Sequence, residues 1–163
     1  MPDFTEMYDW LANEMLVRTY TPPENVVYPV WAWYKQNGKN SKPDLRRERW
    51  TNGISGEKLV CMEIEVPDEK VLLSDFDSWS IVLCNRLLSD TSEEDTLLYA
   101  VFESLSSEDQ RYMKHENWER VFDITPFEND WCCRGLWIQA TFWELTTDMI
   151  RKVQHFTAAK RKY

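Results

Sequence analysis

Apolar residues recur at helical spacing in four stretches of the chain. In each stretch they fall three or four positions apart, which places them on one face of an α-helix. We therefore predict four amphipathic helices, near residues 4 to 18, 75 to 88, 92 to 105 and 107 to 122.

Capping residues precede three of these helices. Each is a serine or threonine followed three residues later by a side chain that can complete a capping box. They predict where the second, third and fourth helices begin. The pairs are Ser74 with Asp77, Thr91 with Glu94, and Ser107 with Gln110.

Three stretches are rich in aromatic and β-branched residues and have the alternating pattern of β-strands. We predict strands near 28 to 35, 58 to 66 and 136 to 145. Helices and strands together predict an α+β fold: a single domain over 1–163, with a mixed β-sheet covered by amphipathic helices. A short helix is expected to start at Thr146, and residues 151–163 form a basic C-terminal tail.

Composition excludes several classes of protein. The chain has 163 residues, 43% of them hydrophobic and nine of them tryptophan, which is far from the composition of a disordered chain. Its formal net charge is −9, so direct, sequence-independent binding to nucleic acid is not expected. No apolar run approaches the roughly 20 residues of a membrane span, and no secretory signal is evident.

A cytoplasmic protein without a cofactor is the resulting expectation. The four cysteines are expected to be reduced, since two of them are adjacent and the other two lie in apolar segments. With two histidines and no Cys-x-x-Cys or His-x-x-x-His spacing, the sequence predicts no metal site.

Charge is unevenly spread along the sequence. Residues 57–109 carry 14 acidic and three basic side chains, a net charge of −11, whereas 35–50 carry +4 and 151–163 carry +5. The acidic block predicts either a face that docks on a basic partner protein or the ordinary capping and solvation of helix ends. Its most exposed members are expected at the starts of two helices: Glu93, Glu94, Asp95, Glu108 and Asp109.

The basic segment follows a strand with tryptophans at alternate positions, which raises the possibility of a ligand site. In that arrangement an arginine would clamp a phosphate or carboxylate, and the tryptophan would line the pocket. The alternatives are that the tryptophans are plain core and that the charged residues only fix the loop to the sheet. The candidate residues are Trp31, Trp33, Lys42, Asp44, Arg46 and Gln139.

Four segments resemble an uncharacterised bacterial and phage family, domain of unknown function 3841. The more specific part of the resemblance is the Trp-rich strand YPVWAWYK at 28–35 together with KPDLR at 42–46. The other segments are YDWL at 8–11, VPDEKVLLSDFDSW at 66–79 and IQATFWEL at 138–145. The family implies no activity by its name.

A more distant similarity links the end of the chain to ADP-ribosyltransferase-like folds. Those folds carry Gln-x-Glu on the closing strand, where the Glu stabilises positive charge on the ribose as nicotinamide leaves. Gln139 matches that Gln, but Thr141 stands at the Glu position and cannot supply the charge. The similarity therefore implies a degenerate fold of this type without the transfer reaction.

Two functions remain in competition beside that of a plain accessory domain. The favoured one is a non-enzymatic acidic interaction protein, in one form a phage- or mobile-element-encoded inhibitor that binds a basic surface of a host macromolecule. The alternative is an ADP-ribosyltransferase-like domain that binds a nucleotide or uses NAD. The absence of an intact catalytic constellation in the sequence favours the first.

Overall fold

The chain folds as two compact units, and the second is formed by an insertion into the first together with the C-terminal part of the chain. The computed structural model describes residues 4–40, 42–45 and 56–158. The first unit comprises Met1–Asn40 and Glu69–Glu144, and the second comprises Ser41–Asp68 and Leu145–Tyr163.

The α-helices of the described residues all lie in the first unit. The predicted second helix ends earlier than expected, and the predicted fourth helix is an α-helix continued by the 3-10 helix Glu119–Phe122. The four are α1 (Thr5–Arg18), α2 (Phe76–Leu83), α3 (Ser92–Phe102) and α4 (Ser107–Trp118).

The predicted cap of α3 is confirmed. The Thr91 hydroxyl accepts a hydrogen bond from the amide of Glu94 at 3.1 Å. The Glu94 carboxylate in turn accepts from the amide of Asp90, one residue before the cap. Both contacts satisfy amide groups that a helix start would otherwise leave unpaired.

The predicted caps of α2 and α4 are each wrong by one residue. Asp75 caps α2, because the helix begins at Phe76 and the Asp75 carboxylate accepts a hydrogen bond from the Ser78 amide. Ser106 caps α4, because its backbone is extended (φ −64°, ψ 159°) whereas Ser107 is already helical. An N-cap needs an extended backbone at its own position, and sequence spacing does not fix where the extended segment ends.

The described residues form seven strands: β1 (Val30–Lys35), β2 (Lys58–Ile64), β3 (Leu72–Asp75), β4 (Phe127–Glu128), β5 (Cys133–Arg134), β6 (Ile138–Phe142) and β7 (Ile150–Thr157). The first unit contains a three-stranded antiparallel sheet of order β1-β6-β3 and a small antiparallel pair, β4 with β5. The second unit contains the antiparallel pair β2 with β7.

The α+β class is confirmed, but the expectation of one mixed sheet is wrong. All strand pairs among the described residues are antiparallel, and the strand predicted at 58 to 66 pairs with β7 rather than with the other predicted strands. Much of the basic segment 151–163 is therefore strand, since β7 runs to Thr157. The short helix expected at Thr146 is the 3-10 helix Thr147–Met149.

The core of the first unit lies between the sheet and the helices. Leu11 of α1, Val82 of α2 and Trp118 of α4 are completely buried there. The Trp10 ring stacks on Phe122 with ring centroids 5.7 Å apart. Burial of large side chains from every helix but α3 fixes the sheet against the helical layer.

Candidate functional site

Strand β6 places Gln139 between two residues of neighbouring strands. Trp33 of β1 and Ser74 of β3 are its register partners. Directly opposite residues on neighbouring strands point to the same face of a sheet, so the three side chains form one row across it. We call Trp33, Gln139 and Ser74 the central row.

Two oxygen atoms of the central row are buried without a hydrogen-bond partner. They are the Ser74 hydroxyl oxygen and Oε1 of Gln139, and Ser74 as a residue is completely buried. Leaving such a group unpaired costs about 1–3 kcal/mol, and native proteins leave few. Sequence reasoning treated Ser74 as a helix cap, so it missed this residue of the row.

Aromatic rings surround the same row. Phe76 and Trp137 lie two residues from Ser74 and Gln139 along the chain, and the Phe76 amide donates to the Trp137 carbonyl at 2.8 Å, which continues the ladder. The Trp33 ring centroid lies 5.1 Å from that of Phe76 and 6.0 Å from that of Trp137, both edge-on. Trp33 itself remains 44% exposed.

Trp31 belongs to the core and not to the exposed part of this face. It lies one row further along, opposite Thr141. Its ring packs 5.3 Å from Trp79 and 6.5 Å from Tyr8. Of the two tryptophans in the predicted ligand site, only Trp33 has the exposure and the position beside Gln139 that such a site needs.

The charged residues of the predicted ligand site belong to the second unit. Lys42 forms an ion pair with Glu63 at 2.8 Å, and this hydrogen bond lowers the pKa of the Glu63 carboxyl. Asp44 is half-buried, and Arg46 lies outside the described residues. The first unit by itself therefore brings together Trp33 and Gln139.

Thr141 has a structural contact in the sheet. It is completely buried and donates its hydroxyl proton to the Leu72 carbonyl at 3.0 Å. The nearby carboxylate of Glu144 acts on Tyr20, whose pKa is raised first by burial and then by that charge. The side chain at position 141 is thus neutral, whereas the resemblance to ADP-ribosyltransferase-like folds would require a charge-stabilising Glu there. The absence of ADP-ribose transfer stays a prediction.

The predicted acidic residues of α3 differ in their surroundings. Glu94 accepts a hydrogen bond from Arg120 at 2.8 Å, which lowers the pKa of its carboxyl. Asp95 accepts from the Ser89 hydroxyl at 3.0 Å. Glu93 is exposed, and its carboxylate has no such contact in the described part of the chain.

The predicted acidic residues of α4 divide in the same way. Asp109 accepts a hydrogen bond from the Ser106 hydroxyl at 2.6 Å, and its amide donates back to that oxygen. Glu108 is exposed and has neither a hydrogen bond nor an ion pair with any described residue. Glu93 and Glu108 are therefore the acids available to a partner, whereas Glu94, Asp95 and Asp109 hold the helix starts.

A cleft of about 430 Å³ contains a charged network that sequence reasoning missed. Asp90 pairs with Arg120 at 3.0 Å and with Arg134 at 2.7 Å, and Arg134 also pairs with Asp123 at 3.1 Å. These residues come from separate segments of the chain, and no motif or spacing in the sequence predicts that they form ion pairs. Because each guanidinium group is already paired with two carboxylates, the network fixes β5 and the 3-10 helix. Nε of Arg134 is buried and has no hydrogen-bond partner among the described residues.

Two cysteines line the same cleft. Burial raises the pKa of the Cys132 and Cys133 thiols, so both stay protonated at neutral pH and are poor nucleophiles. All four cysteines are free, and Cys84 is exposed. In the part of the chain that the structure describes, no group of three or more His, Cys, Asp or Glu side chains could hold a metal ion.

Within residues 4–40, 42–45 and 56–158, no helix is both long and apolar enough to cross a membrane. A family model described as "Domain of unknown function (DUF3841)" matches residues 2–151. No curated protein and no solved structure matches the chain.

Proposed function

The chain belongs to the DUF3841 family, and because that description names no activity, we propose from its surface that it is a non-enzymatic interaction protein. It binds a basic surface of a host macromolecule, as an inhibitor encoded by a phage or mobile element would. The observation that carries this proposal is a stripe of residues on α3, Glu93, Leu97 and Val101, which we call the α3 stripe.

The α3 stripe combines an acid with exposed apolar side chains. Its members are four residues apart and so lie on one face of the helix. Leu97 is 69% exposed and Val101 is 53% exposed. No residue of α3 is fully buried, although its other face contributes Glu94 to the contacts with Arg120.

The next helix repeats the arrangement in Glu108, Tyr112 and Glu116, which we call the α4 stripe. These residues are also four positions apart, and Tyr112 is 68% exposed. Other residues of α4, among them Lys114 and His115, contact Glu6 of α1 and hold the helix to the first unit. The carboxylates of Glu108 and Glu116 have no hydrogen bond or ion pair with any residue that the structure describes.

Apolar side chains beside unpaired carboxylates favour a partner protein whose surface has an apolar centre and a rim of Lys and Arg. Exposed apolar groups and a tyrosine supply the contact area that interfaces use. Acids on the rim supply steering toward a positive surface, and a net charge of −9 extends that attraction beyond the contact.

The test compares tagged baits in lysate of the native host. The first variant carries Glu93→Gln, Leu97→Ser and Glu108→Gln. The matched control carries Glu24→Gln, Glu69→Gln and Val17→Ser, which are two exposed acids and one exposed apolar residue outside the two stripes. We expect a protein that wild type and control retain and the stripe variant loses. Its association rate should fall as salt rises, because attraction between opposite charges is screened within about 8 Å at physiological ionic strength.

Because the substituted side chains are exposed, we expect the stripe variant to fold. Circular dichroism of the three baits checks this. Glu94 and Asp95 are left intact because their contacts stabilise the helix start. Equal retention by the stripe variant and the control, or an association rate that does not change with salt, contradicts the proposal.

A further inference from the structure

We propose that the central row, Trp33, Gln139 and Ser74, is a binding site for a nucleobase, with the base against the Trp33 ring and its polar edge on Gln139. The inference is independent of the proposed docking function, because it uses no residue of either helix stripe. It rests on unpaired buried oxygens, on strand register and on an exposed aromatic ring.

The hydrogen-bonding groups of the row match the edge of a base. The Gln139 carboxamide offers an acceptor, Oε1, beside a donor, Nε2, and Oε1 is buried without a partner. A nucleobase offers a donor beside an acceptor on its edge, so it forms two parallel hydrogen bonds with such a carboxamide. The Ser74 hydroxyl is in register with Gln139 and also has no partner, so it can form a third hydrogen bond with the base.

The aromatic residues of the row match the face of a base. Trp33 keeps 44% of its surface exposed, while Phe76 and Trp137 hold its ring edge-on at 5.1 and 6.0 Å. A ring fixed in this way needs little reordering before a planar ligand stacks on it. Stacking and edge recognition are the two contacts by which proteins bind unpaired bases.

The row favours a free nucleoside over a nucleic acid strand. None of its three side chains carries a charge, so the ligand group that it contacts is neutral. The chain as a whole carries a net charge of −9, which opposes binding of a phosphate polymer.

The experiment is a calorimetric titration of the full chain with uridine, cytidine, adenosine and guanosine, and with a short single-stranded oligonucleotide. We expect one or more nucleosides to bind at one site per chain. Gln139→Met should weaken that binding at least tenfold with an unchanged or higher melting temperature, because it replaces an unpaired buried polar group by an apolar one of similar size. Ser74→Ala should act in the same direction.

Trp33→Leu with its matched control Trp131→Leu tests the aromatic contact, since both tryptophans are about half exposed in the first unit. Binding should weaken in the first variant and stay unchanged in the second. The proposal is overturned if no nucleoside binds at millimolar concentration, if Gln139→Met binds as wild type does, or if only the oligonucleotide binds.

Discussion

Asp75 is a buried carboxylate on which two separate segments depend, and its removal should destabilise the first unit. The residue is completely buried. One carboxylate oxygen accepts from the Ser78 amide at 2.9 Å and caps α2. The other accepts from the buried Gly135 amide at 2.8 Å and fixes the segment that leads into β6.

The expected cost follows from these two contacts. Loss of a helix cap costs about 0.5–2 kcal/mol, and a buried amide left without an acceptor costs about 1–3 kcal/mol. Asp75→Ala loses both, so the free energy of unfolding should fall by about 1.5–5 kcal/mol. In a chain of this size that corresponds to a fall of about 3–20 °C in melting temperature. Asp75→Asn keeps one acceptor and turns an N–H group toward an amide donor, so it should also destabilise.

Calorimetry and urea unfolding measure the effect, with Asp77→Asn as the control. Burial and the charge of Asp75 raise the pKa of Asp77, so the folded state disfavours its ionised form. Because a raised carboxyl pKa lowers the stability of the folded state at pH values above that pKa, Asp77→Asn should be neutral or stabilising by at most about 0.5 kcal/mol at pH 7. An Asp75→Ala protein that unfolds at the wild-type temperature and urea concentration would refute the reasoning.

Two further predictions concern the cleft and its supporting turn. Glu94→Gln should cost about 0.5–1 kcal/mol at pH 7, and because the Arg120 hydrogen bond lowers the pKa of Glu94, the difference from wild type should vanish as pH falls from about 4.5 through the folded-state pKa. Urea unfolding at a series of pH values measures this, and a difference that persists at pH 2 contradicts it. Gly135→Ala should lower the melting temperature by more than the equivalent of about 1 kcal/mol, because φ is +80° and a Cβ would lie 2.7 Å from Pro126 Cα. A thermal scan that shows equal stability for the alanine protein would be incompatible with that geometry.

Local patterns in the sequence predict the elements whose cause is local. The Thr91 cap and the alternating aromatic strand around Trp33 were predicted from adjacent residues and are present in the structure. Strand β7 was missed because the segment was interpreted as a short helix starting at Thr146 followed by a basic tail over 151–163. Its extended state depends on pairing with β2, whose paired residues lie 86 to 99 positions earlier in the chain.

In the candidate site, too, the sequence predicts individual residues, whereas their proximity depends on long-range pairing. Gln139 and Trp33 were selected for their chemistry, but only the antiparallel register of β1 with β6 makes them neighbours. Ser74 lacked any signal, because its role depends on the residue opposite and on its burial rather than on the residues beside it. The Asp90 network likewise depends on arginines brought near by the fold.

The central position of β6 also constrains how the protein is made. Strands β1 and β3 have no contact partner in the sheet until β6, the last strand of the first unit, leaves the ribosome. Until then the nascent chain carries the tryptophans of β1 as an unpaired, aggregation-prone strand. Ribosomes that stall before residue 138 would release chains whose exposed edge attracts chaperones and proteases, so the yield of folded protein should depend on continuous translation through β6.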